Sequence, residues 1–514
     1  MKQVRINELM SKTGVRFGTS GARGLVADMS DEVCYAYAAA FLQCVAGTAD
    51  KVVLGHDLRP SSPRIAGACA AAIHDSGRQV VYAGALPTPA LAFYAAQLGV
   101  PTLVVTGSHI PFDRNGIKFY RAAGEISKAD EQAMLNAVVS LPDAVTAAQL
   151  PEPDERAAVA YIRRYVDFFG VSALAGMRVA VYEHSSVGRD VLRGILEGLG
   201  AQVISLGRTD VFVPIDTEAV RPEDVAQARQ WAGEYAFDAI VSTDGDADRP
   251  LIGDEQGNWL RGDVVGILCA QYLRAQIVVT PVSSNSAVEK CGSFDPVMRT
   301  LIGSPYVIAG MEAARGVMGH SRSAGHSAEL ASKPAFIPTF PPRGKELEVA
   351  GGGAEKIVVG YEANGGFLLG SDVVRGSRCL AALPTRDAVL PILALLCLAR
   401  ERGCKVSQLS QDLPARYTSS DRLQNFPADK SQSLIARLMV STEMLVQMLA
   451  PQSGPVAGID QTDGLRVTFA SGDIVHLRPS GNAPELRCYA EASSSQRAKL
   501  LCDECLQRVL NNAQ

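Results

Sequence analysis

Short apolar runs of strand type alternate with longer helical stretches through the first two thirds of the chain. The run KVVLGHD at 51–57, a helical segment and GRQVVYAG at 77–84 form one such set. RVAVYEH at 178–184, another helical segment and GAQVISLG at 200–207 repeat its order and spacing. Each set leads into a further β-branched strand that stops at a polar turn, LVVTGSH at 103–109 and AIVSTDGDAD at 239–248. Strands rich in Val and Ile, bounded by Gly and joined through helices, predict a duplicated β-α-β-α-β unit and a largely parallel sheet. A third strand of this kind, KIVVGYE at 356–362, opens on Ala363-Asn364-Gly365-Gly366. Between the first motifs, a helix is expected from Asp31 to Ala46 with Ser30 or Asp31 as its cap.

Beyond Ser407 the pattern changes. Alternation in LRVTF at 465–469, DIVHL at 473–477 and LRCYA at 486–490 predicts a small antiparallel sheet with terminal helices. The expected fold is therefore α/β, three related mixed or parallel-sheet domains followed by a C-terminal α+β domain. The segments 150–154 and 258–262 suggest boundaries giving domains 1–153, 154–260, 261–406 and 407–514. Within the third, the stretch 319–355 is rich in Ser, Gly, Ala and Pro, lacks periodicity and reads as a mobile insertion.

Composition narrows the class. The chain has 514 residues, of which 47% are hydrophobic and 20% charged, with a net charge of -5. That length exceeds a single core, and the net charge gives no reason to expect nucleic acid or an anionic membrane surface as a partner. No apolar stretch reaches membrane-spanning length; the longest candidate, Ala388 to Ala399, reads as a helix inside a domain. The N-terminal MKQVRINELM has no apolar core of signal-peptide type, so a cytoplasmic protein is expected. The eleven cysteines are scattered, mostly in apolar runs, which suits buried reduced thiols. The single CxxC, Cys502 to Cys505, has no second pair and reads as structural.

Chemistry concentrates in four loops. The first presents the Ser108 hydroxyl at the open end of a strand, the place where α/β sheets bind ligands; taken alone, it is also an ordinary loop serine. The second, Asp244-Gly-Asp246-Ala-Asp248-Arg249, sets three carboxylates at alternating positions, which repel one another unless a cation lies between them. An all-oxygen set without Cys or His suits Mg²⁺ rather than zinc; Asp-rich turns also serve only as caps and Asx-turns. An EF-hand is excluded, because Arg249 stands where its sixth residue must be Gly. The third, Glu362-Ala-Asn364-Gly365-Gly366, offers a carboxylate and an amide for vicinal hydroxyls, or is a plain polar turn. The fourth, Arg478-Pro-Ser480-Gly481-Asn482-Ala-Pro484, is a phosphate cradle or a hairpin turn. A Gly-rich stretch from Arg16 to Val26 adds Arg23 as an anion-binding charge. Together these features point to phosphoryl transfer on a phosphosugar.

The segments FGTSGARG, GHDLRPSS, TGSHIPFDRNGIKFY, DGDADR, GYEANGG and RPSGNAPELR occur in that order. With them the chain resembles the α-D-phosphohexomutase superfamily, of the phosphomannomutase/phosphoglucomutase type, along nearly its whole length. The resemblance implies four domains around a central cleft and a resting enzyme phosphorylated on Ser108. It implies Mg²⁺ held by that phosphate with Asp244, Asp246 and Asp248, and Arg249 tuning the site. Lys118 and Arg23 match positions near the reacting oxygen; His109 is either catalytic or an orienting residue. Glu362, Asn364 and Gly365 would bind substrate, and Arg478, Ser480, Gly481, Asn482 and Arg487 its non-reacting phosphate. The implied activity is reversible phosphoryl transfer between the 1- and 6-positions of mannose or glucose phosphate through a hexose 1,6-bisphosphate. A phosphoglucosamine or N-acetylglucosamine-phosphate mutase is the alternative, with a sugar-phosphate phosphatase or a non-catalytic sensor behind it. Where related loops read Glu-x-Ser-Gly-His, this chain has Asn364 for Ser and Gly366 for His, so no histidine role carries over. The expected partner is a phosphosugar, with no nucleic acid or membrane, and the chain a monomer or homodimer.

Overall fold

The computed structural model describes residues 2–18, 21–319, 356–480 and 484–512. The insertion expected at 319–355 lies, beyond Gly319, outside the described residues, as do Gly481 and Asn482. The chain forms two compact units. One draws on Met1–Cys269, Asn364–Leu368 and Asp372–Ser410, the other on Ala270–Ala363, Leu369–Ser371 and Gln411–Gln514.

In the first unit the strand Lys51–His56 pairs in parallel with Gln79–Ala85 on one side and Thr102–Val105 on the other. The strand Arg114–Arg121 then returns antiparallel beside Thr102–Val105, with Val104 opposite Lys118 and Val105 opposite Ile117. All four residues of Thr102–Val105 are buried, as expected of a strand covered on both faces. The helices Asp31–Cys44 and Ser62–Asp75 contribute to the core beneath it. Ser30 caps the former by accepting from the Val33 N–H, satisfying one of the donors that a helix start leaves open.

The duplication is visible in the pairing order. Arg178–Tyr182 lies between Gln202–Leu206 and Ala239–Thr243, parallel to both, and Pro250–Gly253 returns antiparallel to the third strand. In each copy the turn between the third strand and its antiparallel return holds candidate site residues, Ser108 in one and Asp244 to Asp248 in the other. The same hydrophobic order therefore folds into two separate sheets with the same strand order and opens a polar loop at the same end of each.

In the second unit Ile277–Pro281 lies parallel to Val297–Thr300 and to Val358–Tyr361, a third use of that arrangement. The C-terminal part is a five-stranded antiparallel sheet, ordered Tyr417–Gln424, Glu485–Ala492, Ile474–Pro479, Leu465–Phe469, Val456–Asp460. Its alternating residues Leu465, Val467, Phe469, Val475 and Leu477 form a core with the helices Thr442–Leu449 and Ser495–Asn512. Cys488, Cys502 and Cys505 are buried free thiols in that core. No helix among the described residues is long and apolar enough to cross a membrane.

Candidate active site

The serine loop is held in an uncommon conformation. Ser108 has φ 52°, a left-handed value that side chains bearing Cβ rarely adopt, and such strain persists only where surroundings impose it. Asp57, at the end of the strand Lys51–His56, supplies part of that constraint. Its Oδ2 accepts from Thr106 Oγ1 at 2.8 Å and from the Gly107 N–H at 3.2 Å, and Thr106 Oγ1 accepts from the Ser108 N–H at 2.8 Å. Arg59 supplies the rest. Its Nη1 donates to the carbonyls of Pro111 and Arg114 at 2.8 and 2.9 Å. Its Nη2 donates to those of Ser108 and Ile110 at 2.9 and 2.6 Å. Phe212 lies over the guanidinium, 4.0 Å from ring centroid to Cζ. A fully buried arginine thus pulls four loop carbonyls around one centre.

The aspartate loop approaches from the second copy of the fold. A Cβ at Gly245 would sit 2.7 Å from the Ser108 carbonyl oxygen, so the close approach of the two loops requires a glycine. The Ser108 hydroxyl donates to Asp244 Oδ2 at 2.5 Å, and Asp244 Oδ1 accepts from the N–H groups of Asp248 and Arg249, each at 3.2 Å. Asp246 Oδ2 accepts from Thr88 Oγ1 and from Lys118 Nζ, both at 2.6 Å. Asp248 Oδ2 accepts from Lys118 Nζ at 2.7 Å and from Arg386 Nη2 at 2.6 Å.

These anchors use only one oxygen of each of the last two carboxylates. Asp246 Oδ1 and Asp248 Oδ1 are buried without a hydrogen-bond partner, with Arg249 Nε 3.6 Å from the latter. One carboxylate oxygen from each of the three aspartates lies within 4.8 Å of the others. Burial and then the charges of Asp246 and Asp248 push the Asp244 carboxyl well above its ordinary range. Burial acts in the same sense on Asp248, but Arg386, Lys118 and Arg249 outweigh it and hold that carboxyl below the usual range. Orphaned oxygens and mutual repulsion are what a hard divalent cation relieves, so the residues fit one.

The bases and acids sort by environment. Burial would lower Lys118, but Asp246 and Asp248 overcome it and keep the ammonium protonated. Burial, followed by the nearby Arg249, drives His109 well below its ordinary value, so the imidazole is neutral. Its Nδ1 lies 3.2 Å from Ser108 Oγ. Arg23 is lowered to about 10 by burial and by Arg249 and Arg386, and remains cationic at neutral pH. A hydroxyl, a neutral imidazole and several fixed cations around a cation-ready triad are suited to carrying a phosphoryl group.

The four family descriptions that match the chain are those of "Phosphoglucomutase/phosphomannomutase": alpha/beta/alpha domain I over 14–141, domain II over 144–257, domain III over 261–332 and the C-terminal domain over 428–508. A phosphomannomutase of Salmonella muenchen is 44% identical over 98% of this chain and 97% of its own length. The chain belongs to the phosphoglucomutase/phosphomannomutase family. A phosphomannomutase of Sinorhizobium fredii is 43% identical over 97% of this chain and 99% of its own. A phosphoglucosamine mutase of Nitratidesulfovibrio vulgaris reaches 33% over 60% of this chain and 73% of its own. In fold, the phosphohexomutase is similar to a phosphoglucomutase/phosphomannomutase family protein of Burkholderia thailandensis. That match has TM-score 0.68 and 18% identity, covering 96% of this chain and 97% of the other. It is also similar to the N-acetylphosphoglucosamine mutase of Aspergillus fumigatus in complex with GlcNAc-6P and magnesium. There the TM-score is 0.55 and identity 14%, covering 99% of this chain and all of the other. The expected four-domain architecture and phosphoryl-transfer mutase activity hold.

Within the first unit of this phosphohexomutase, Ser108, His109, Lys118, Asp244, Asp246, Asp248 and Arg249 come together, with Arg23 close enough to feel Arg249, Asp246 and Asp248. Asn364 and Gly365 belong to the same unit, but Asn364 is already committed. Its Oδ1 accepts from the Gly366 N–H at 2.9 Å, and its carbonyl accepts from Thr217 Oγ1 at 2.7 Å. The side-chain oxygen shapes the turn, leaving the amide N–H groups as its means of reading a hydroxyl.

Glu362, Arg478, Ser480 and Arg487 belong to the second unit. There Arg422, Arg487 and Arg478 stand in register on three adjacent strands, with Glu485 3.4 Å from the first and 3.6 Å from the second. Asp463 orients Arg478, accepting from its Nε at 2.9 Å while also accepting from the Ile302 N–H at 2.9 Å. Sequence reasoning assigns no role to Arg59, Arg386, Arg422 or Asp463. Arg59 lies inside the segment GHDLRPSS, whereas the others carry no local signal.

Proposed function

We propose that this phosphohexomutase interconverts mannose 1-phosphate and mannose 6-phosphate through phospho-Ser108 and a mannose 1,6-bisphosphate. The observation that carries the reading is the buried Ser108 hydroxyl, bonded at 2.5 Å to one member of an aspartate triad that lacks partners for two of its oxygens. The phosphomannomutase names of the relatives at 44% and 43% identity support mannose over an amino sugar.

In the forward half, the P–O bond to Ser108 Oγ breaks as a bond forms from phosphorus to the free sugar hydroxyl. The hydroxyl proton passes through neutral His109, whose Nδ1 lies 3.2 Å from Ser108 Oγ, to the departing serine oxygen. The bisphosphate then turns in the site, its other phosphoryl returns to Ser108 and the proton returns to the sugar oxygen. Lys118 and Arg23 stay cationic throughout and, with Arg249, hold the charge of the moving group. A Mg²⁺ held by Asp244, Asp246 and Asp248 with the Ser108 phosphate would withdraw charge from the phosphoryl oxygens. The Aspergillus fumigatus mutase, similar in fold and solved in complex with magnesium, supports that choice of ion. We assign Arg478, Ser480, Gly481, Asn482 and Arg487 to the phosphate that is not reacting, and Glu362, Asn364 and Gly365 to the sugar. The four domains divide near residues 153, 260 and 406.

The test is a substrate panel. Mannose, glucose, glucosamine and N-acetylglucosamine 1-phosphates are supplied with Mg²⁺ and the matching 1,6-bisphosphate. We expect the highest kcat/KM with mannose 1-phosphate; activity confined to the amino sugars overturns the assignment.

A further inference from the structure

Arg386 sits on the strand Leu383–Asp387 with its side chain 2% exposed. Its Nε and Nη2 both donate to Asp248 Oδ2, at 3.1 and 2.6 Å. Lys118 Nζ reaches the same oxygen at 2.7 Å. One oxygen of Asp248 is thereby surrounded by donors, while Oδ1 has no hydrogen-bond partner. The route of the arginine explains an oddity of the third loop. A Cβ at Gly366 would lie 2.6 Å from Arg386 Cδ and 3.0 Å from Cγ, so the guanidinium reaches Asp248 by passing over a residue without a side chain. Asn364 Oδ1, bonded to the Gly366 N–H, holds that turn in place.

We propose that Arg386 is a positioning residue for the cation site. It fixes the Asp248 carboxylate by Oδ2 so that Oδ1 is presented to a divalent cation, and Gly366 is the gap its side chain requires. The inference rests on reading the triad as a cation site. Charge and positioning make opposite forecasts here. A guanidinium beside a bound cation repels it, so if charge alone mattered, removing Arg386 would tighten metal binding. If orientation matters, binding weakens even when lysine keeps the charge, because an ammonium lacks the planar fork that fills Oδ2. Groups that orient metal ligands are typically worth about 10–100-fold in metal affinity.

Mg²⁺ titration by calorimetry on the full-length, dephosphorylated chain decides between them. Arg386→Lys, Arg386→Gln, Gly366→Ala and the double variant Gly366→Ala/Arg386→Gln are compared with wild type, and thermal melts confirm that each is folded. We expect each single variant to bind Mg²⁺ about 10-fold or more weakly. The double variant should bind no more weakly than Arg386→Gln, because both changes remove one contact. In turnover assays kcat should fall while KM for the sugar phosphate changes little. If Arg386→Lys and Arg386→Gln bind Mg²⁺ as tightly as wild type or more tightly, the positioning role is wrong. If the wild-type chain itself binds no Mg²⁺, the reading of the triad fails instead. Should Arg386→Gln not fold, Gly366→Ala and Arg386→Lys still carry the comparison.

Discussion

His184 has φ 26° and is buried, with Nε2 2.9 Å from the Thr243 carbonyl. A carbonyl only accepts, so the proton rests on Nε2, and Nδ1 is left without a partner. Protonation would place a second donor against nothing, and burial accordingly lowers the histidine to about 4. Between that value and the ordinary 6.5 the unfolded chain binds the extra proton and the folded chain does not. Stability of this unit should therefore be full above pH 6.5 and fall as the pH drops towards 4, by about 1.4 kcal/mol per pH unit from this one group. Both tryptophans, Trp231 and Trp259, lie in the same unit, and Trp231 packs edge-on against Tyr182 beside His184. Urea midpoints followed by tryptophan fluorescence at pH 7 and pH 5 measure the loss. His184→Asn, which tolerates a left-handed backbone, should flatten it; an unchanged slope in that variant removes His184 as the cause.

At the scale of elements, the serine loop shows what a sequence discloses and what it withholds. Ser108, Asp244, Asp246 and Asp248 were legible because each lies in a short contiguous motif at the end of a β-branched run. The repeated strand order was legible because hydrophobic spacing survives where identity does not. The antiparallel return strands beside each parallel set were not, since pairing direction depends on partners distant in the chain. Arg59 is the clearest omission: its four carbonyl partners lie about fifty residues onward, and nothing at position 59 announces them. Arg386 is hidden likewise, because its partner Asp248 lies on another strand's loop. Asn364 shows the converse, since an amide that reads as a hydroxyl ligand has its oxygen committed to a turn. For the serine loop we expect Arg59→Lys to lower kcat about 100-fold with KM for the sugar phosphate little changed, since a small displacement of the reacting oxygen costs that much. Amide hydrogen exchange over residues 107–115 should rise in parallel. Wild-type kcat in that variant would mean that the four carbonyl bonds do not position Ser108.

At the scale of the whole molecule, the duplicated sheets explain why chemistry from distant parts of the chain meets. The same strand order opens a loop at the same end in each copy, so Ser108 and Asp244 face each other although 136 positions separate them. The C-terminal sheet adds its row of arginines in a unit with its own core. In the proposed mechanism two loops of the first unit divide one task, with Ser108 lending the phosphoryl group and the triad neutralising it. That division depends on a covalent phosphoserine, so the phosphate on Ser108 is the quantity to measure. The purified full-length chain and Ser108→Ala are incubated with mannose 1,6-bisphosphate and Mg²⁺, then weighed by intact-mass spectrometry with peptide mapping. We expect one added phosphate, located on Ser108 and lost to added mannose 1-phosphate, with neither phosphate nor mutase activity in Ser108→Ala. A Ser108→Ala chain that retains full mutase activity contradicts the mechanism.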